Sequence, residues 1–167
     1  MNLNDISSGE SIIVDAKIVV YAIQHVSGQC EELLYRCAED EIKCCLPAHI
    51  LAEIMHQLMI IEARENGWIA GANPARQLTA KPELVKRLVK YEELMHDILS
   101  VGFQIEPLMP NDFLTAISIQ NRYGLLTNDA LFVSIAKRLH IRALVSTDKV
   151  FERVTDYVVY TPDDLSL

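Results

Sequence analysis

The sequence predicts an α/β fold, a three-layer α/β/α sandwich built on a mostly parallel central sheet. Three observations carry this. Short apolar runs alternate with longer segments of helical period, as expected of strands joined by helical crossovers. The runs are apolar at consecutive positions, as in Ile12-Ile13-Val14 and Ala143-Leu144-Val145, which suits strands covered on both faces. A chain of 167 residues, half of them hydrophobic, is long enough to form one core, so a single domain over 1–167 is expected.

Taken in order, Ile12 to Val14 reads as the first strand, ending at Asp15, with a helix following through Gln24. A second helix covers Gln29 to Glu39. Lys43 to Leu46 is the second strand, and Pro47 opens a helix to about Arg64, since proline suits a first turn. The stretch ENGWIAGANPARQLTAKP contains two glycines and two prolines and breaks the period. It is expected to protrude as an irregular or helical insertion around 65–82. Glu83 to Ser100 places Leu84, Leu88, Tyr91, Leu94 or Met95, and Ile98 on one side and is predicted as one helix. Phe103 to Ile105 is a third strand. Asn111 is expected to cap a helix through Asn121 that Gly124 ends. Thr127 or Asn128 is expected to cap a helix from Asp129 to His140. Ala143 to Ser146 is a strand ending near Thr147-Asp148, and Tyr157 to Tyr160 is the last.

The bulk charge narrows the function. A net charge of −8 argues against nucleic-acid binding through a broad basic face. It leaves open an acidic site that captures phosphates through a divalent cation. No apolar run reaches membrane-spanning length, and MNLNDISSGESIIVD lacks the basic and apolar regions of a secretory signal. A cytoplasmic location is the expectation. Cys30, Cys37, Cys44 and Cys45 form no C-x-x-C pair and are expected to be buried structural thiols.

Four acids stand out. In an open parallel sheet, ligands bind beyond the carboxyl ends of the strands. Asp15 ends the first strand and Asp148 the strand before the last. Glu53 lies in the helix after the second strand, and Asp129 opens its own helix. Each has an ordinary reading. Asp129 would favour a helix N-terminus, Asp148 would cap the segment 149–154, and Glu53 would face solvent. Asp15 resists one, because it directly follows a buried strand. Crowded together, four carboxylates raise one another's pKa. A hard cation such as Mg²⁺ or Mn²⁺ removes that conflict. Metal-dependent phosphodiester hydrolysis is the chemistry such a cluster suits.

With those residues in place, the sequence resembles the PIN-domain ribonucleases, and among them the VapC toxins of toxin–antitoxin pairs. The resemblance rests on IIVDAKIVVYA at 12–22, LPAHILAEIMHQL at 46–58, TNDALFVSIAKRLH at 127–140 and LVSTDKVFERV at 144–154. These occur in the family's order and span nearly the whole chain. The resemblance implies that Asp15, Glu53, Asp129 and Asp148 are the catalytic, metal-binding quartet. It further implies Mg²⁺ or Mn²⁺ as cofactor, an RNA substrate, a homodimer and an antitoxin partner. Two positions bear on activity. The family's first acid is usually followed within two residues by Ser, Thr or Asn, whereas here Ala16 and Lys17 follow. Lys17 could pair with the cluster, contact a phosphate or weaken the metal. Thr147 precedes Asp148 and is expected to support it by a hydrogen bond.

Other residues fit less well. His49, Glu53 and His56 share a helix face, but H-E-x-x-H is absent, so one histidine near the cleft is expected and not a three-ligand site. Arg76, Lys81, Lys86, Arg87 and Lys90 could guide RNA backbone, although a solvated helix face is the preferred reading. Trp68 and Ile69 would meet a partner or fold back on the core. A receiver domain needs an acidic pair after the first strand, a haloacid-dehalogenase-type phosphatase needs D-x-D, and a dinucleotide binder needs G-x-G-x-x-G. None is present. The rival from another class is a catalytically silent PIN-like module that binds RNA or a protein.

Overall fold

The computed structural model describes residues 1–165. At its centre is β1 (Ser11–Val14), in which Ile12, Ile13 and Val14 are wholly buried. β1 pairs in parallel with β2 (Lys43–Pro47) on one side and β4 (Ala143–Val145) on the other. β3 (Gln104–Glu106) extends the sheet beyond β2, and β5 (Val158–Tyr160) extends it beyond β4. The order is β3-β2-β1-β4-β5, and these four pairings are all parallel.

Helices make the connections. α1 (Ala16–Ile23) and α2 (Gly28–Ala38) join β1 to β2. α3 (Ala48–Glu65), α4 (Pro74–Thr79), α5 (Pro82–Val85) and α6 (Lys90–Ser100) join β2 to β3. α7 (Pro110–Tyr123) and α8 (Thr127–Arg138) return the chain to β4. A 3-10 helix, Lys149–Arg153, leads to β5. Right-handed crossovers put helices on one face while the chain steps from β1 to β3, and on the other face when it returns to β4. The packing agrees: α1 lies against α2 and α3, α3 against α6, and α7 against α8. The strand order reverses between β1 and β4, where an open parallel sheet leaves a crevice beyond its carboxyl edge.

Several expectations change in detail. The helix predicted over 83–100 is broken between α5 and α6. Glu62 of α3 is only 4% exposed, and its two carboxylate oxygens accept from the Val89 and Tyr91 backbone N–H groups at 2.8 and 2.9 Å. A distant acid thus satisfies N–H groups that a continuous helix would have bonded internally. Pro47 ends β2 and holds the cap position of α3, so the helix begins at Ala48, one residue later than expected. Asn111 does not cap α7. Met109 holds that position, Pro110 is the first helical residue, and Asp112 accepts from the Met109 N–H at 2.8 Å. Neither Thr127 nor Asn128 caps α8, which starts at Thr127 after Leu126.

Cys37 and Cys44 are joined by a disulfide, whereas Cys30 and Cys45 are buried thiols. The tight return from α2 to β2 brings the first pair to a Cα separation of 5.8 Å, within bridging range. The insertion has its own apolar cluster. Ile69 and Leu78 pack with Ile60, Ala63 and Leu88, and Trp68 lies against them beneath the Arg87 guanidinium, 4.6 Å from the ring centre. Both residues therefore fold back on the molecule. Among the described residues, no helix is long and apolar enough to cross a membrane.

Candidate active site

Asp15 leaves β1 at the strand-order reversal and caps α1, its Oδ1 accepting from the Ala16 N–H at 2.7 Å. Its Oδ2 accepts from the Ser146 hydroxyl at 2.6 Å. Ser146 directly follows β4 and is 1% exposed. Its oxygen also accepts from the Asp148 N–H at 3.0 Å. One buried hydroxyl therefore ties the ends of two neighbouring strands together. Asp148 in turn caps the 3-10 helix, Oδ1 accepting from the Val150 N–H at 3.0 Å.

The hydroxyl expected to support Asp148 was that of Thr147. Among the described residues Thr147 makes no hydrogen bond to Asp148. Successive side chains leaving an extended strand point to opposite sides, so Ser146 turns inward toward Asp15 and Thr147 does not. An inward hydroxyl directly after an apolar strand was the available signal. The choice between two adjacent hydroxyls was not available without the pleat.

Glu53 sits in the second turn of α3, its Oε1 accepting from the Gln57 side chain at 2.9 Å. Asp129 stands in the first turn of α8. The four acids, with Lys17 and Asn128, line one cavity of about 180 Å³, walled by Ile50, Phe132 and Phe151. Phe132 and Phe151 lie with ring centres 5.3 Å apart. Lys17 is exposed and makes no ion pair among the described residues.

The carboxyls feel one another. Burial raises the Asp15 pKa above 3.8; Ser146, the Ala16 N–H and Lys17 oppose this, and Asp148 adds to it. Burial likewise raises that of Asp129, followed in effect by Asp148, Asp15 and Glu53, against Lys17. An acid raised by three others from separate segments lies in a shared negative field.

Among the described residues, no three Asp, Glu, His or Cys side chains close tightly enough to hold an ion directly. The donors facing the cavity are carboxylate oxygens, which suit a hard divalent cation that keeps part of its water shell. The space accommodates several waters.

His49 lies one turn before Glu53. Both its ring nitrogens are sealed from solvent without a hydrogen-bond partner. Burial lowers its pKa, against a weaker raising effect from the Asp112 charge. His56 is exposed, and neither histidine lines the cavity. Of the basic stretch, Lys90 pairs with Glu65 at 2.7 Å, Arg87 covers Trp68, and none of the five lines the acidic cavity.

The profile of the PIN domain family matches residues 12–157. Among solved structures, VapBC2 from Rickettsia felis bound to a DNA fragment from their promoter aligns with a TM-score of 0.59 at 17% identity, covering 92% of this chain and 99% of that one. A toxin–antitoxin complex from Klebsiella pneumoniae aligns with a TM-score of 0.55 at 13% identity, covering 88% and 95%. At these identities the likeness establishes the fold. No curated protein sequence matches the chain. PIN-domain nucleases generally use divalent metal ions. The matched stretch runs from β1 through β4 to the residue before β5 and includes all four acids, and the chain belongs to the PIN domain family.

Proposed function

We propose that this chain is a divalent-metal-dependent endoribonuclease that hydrolyses phosphodiester bonds in single-stranded or structured RNA, and that it is the toxin of a toxin–antitoxin pair. The observation that carries the reading is the lining of one cavity by Asp15, Glu53, Asp129 and Asp148, drawn from four separate elements. These four would hold the ion. Bound there, Mg²⁺ or Mn²⁺ would supply a Lewis acid that acidifies a water and offsets phosphodiester charge.

The chain's own residues do the positioning. Ser146 fixes the Asp15 carboxylate, and Gln57 fixes that of Glu53. Asp129 accepts no side-chain or backbone hydrogen bond among the described residues, which leaves both its oxygens for the ion or its waters. Lys17 offers the rim a cation for a phosphate oxygen. Ile50, Phe132 and Phe151 exclude bulk water from one side and strengthen each charge interaction.

The test is cleavage of RNA oligonucleotides by the purified chain, with either ion, with chelator, and as Asp15→Asn. The expected result is cleavage that requires the ion and is lost in the variant. RNA retained without metal-dependent cleavage would favour a catalytically silent PIN-like module. Lys17 in the lining, and the lack of three acids closing on one point, are what favour that second reading.

The same proposal extends to assembly. Phe113, Leu114 and Ile117 of α7 and the Met109 that caps it are all exposed, with Met109, Phe113 and Ile117 at helical spacing. Apolar clusters of this kind mark partner surfaces, and a homodimer through α7 is the assembly we assign. An antitoxin partner is supported by the complexes that share the fold. The chain is taken as one cytoplasmic domain with a protruding insertion.

A further inference from the structure

A second cavity lies at the opposite edge of the same sheet. It measures about 490 Å³ and opens between the C-terminal halves of α7 and α8 and the chain leading into β4 and β5. Arg142 directly precedes β4 and Tyr157 directly precedes β5, so this cavity sits at the amino edge, whereas the four acids follow the carboxyl edge. Its charge is also reversed. Arg122, Lys137 and Arg142 face it with a single carboxylate, Asp156, in a chain whose net charge is −8.

Asp156 organises the lining. Its Oδ2 accepts from the Tyr123 hydroxyl at 2.8 Å and pairs with the Arg122 guanidinium at 3.2 Å. Its backbone carbonyl accepts from Arg142 at 2.7 Å. The Arg122 guanidinium also lies 4.8 Å from the centre of the Tyr123 ring. Lys137 and Arg142 make no ion pair among the described residues. Asp156 thus holds Arg122 and Arg142 at the lining, and with Lys137 the three cations outnumber the one carboxylate, which suits an anionic ligand.

The volume says which kind of anion. A space of this size falls in the range that holds a whole small ligand and far exceeds one phosphate. Its other walls include half-buried Tyr157, the apolar side chains of Ile119 and Val133, and the exposed His140. Aromatic and apolar walls beside cations are the surroundings that bases and phosphates require together. We propose that this cavity binds a nucleotide, with its phosphate on Lys137, Arg122 and Arg142 and its base against Tyr157. The site is separate from the acidic cavity and does not depend on the nuclease reading.

The experiment is calorimetric titration of the full chain with AMP, adenosine and inorganic phosphate, in chelator so that no metal serves the acidic cavity. AMP is expected to bind, with adenosine and phosphate each weaker by about tenfold or more. Lys137→Glu, an exposed substitution, is expected to weaken AMP by about tenfold, and Asp15→Asn is expected to leave AMP binding as it was. Tyr157 ring resonances should shift with AMP. Absence of AMP binding, phosphate binding as tightly as AMP, unchanged affinity in Lys137→Glu, or loss in Asp15→Asn would each overturn the proposal. RNA cleavage, measured separately, is untouched by any of these outcomes.

Discussion

At the residue scale, the buried hydroxyl of Ser146 does two jobs. It donates to Asp15 and accepts from the Asp148 N–H. Ser146→Ala removes both bonds and leaves a buried carboxylate oxygen and an N–H without their partner. A loss of about 1–3 kcal/mol in stability is expected, read by urea denaturation, with RNA cleavage falling through kcat rather than KM. The raised pKa values of Asp15 and Asp129 give a second expectation. Between 3.8 and the raised native values, the folded chain binds more protons than the unfolded one. Stability of the metal-free protein therefore falls as pH rises through that window. Denaturation in chelator should show this, and stabilisation by Mg²⁺ should grow over the same window as the carboxylates ionise. In chelator at neutral pH, Asp129→Asn should raise the Tm by a few degrees, because it relieves crowding among like charges. A lower Tm would mean that Asp129 is structural.

At the element scale, one ionic network holds β3, α7 and α8 in place. Arg138, in the last turn of α8, donates to both oxygens of Asp112 at 2.8 and 3.0 Å and pairs with Glu106 at the end of β3. Asp112 is 2% exposed. Burial pushes its carboxyl up, yet the hydrogen bonds from Arg138 and the Met109 N–H outweigh this and hold it below the usual range. Arg138→Met leaves Asp112 buried without its partner. A loss of about 3–5 kcal/mol is expected, read by urea denaturation, and an unchanged midpoint would show that water replaces the guanidinium. This network sits at one end of α8 and Asp129 at the other. The Glu62 cap of α6 works in the same way, an acid from one helix setting where another begins.

At the scale of the whole molecule, charge and apolar surface are unevenly placed. Acids gather at the carboxyl edge of the sheet, cations at the amino edge, and exposed apolar side chains on α7, with Leu126 78% exposed at the start of α8. If α7 is the dimer surface, Ile117→Glu should convert a dimer to a monomer in sedimentation while the circular dichroism stays unchanged. A dimer that survives that substitution places the interface elsewhere.

Much of this was legible in the chain. A parallel strand covered on both faces must be apolar at every position, so β1, β2 and β4 announce themselves, and an acid directly after such a strand has no ordinary reason to be there. Asp15 was singled out on that ground, whereas Asp148, separated from β4 by Ser146 and Thr147 and suited to a cap, was taken up only as one of four acids considered together. What the tertiary structure alone decided depends on residues far apart in sequence. The break before α6 is made by Glu62, the Cys37–Cys44 bond by the return from α2 to β2, and the choice of Ser146 over Thr147 by the direction in which a strand's last side chains point. Local periodicity records which face of an element is buried. It does not record which distant group meets that face, because that is set by the crossovers that bring the elements together.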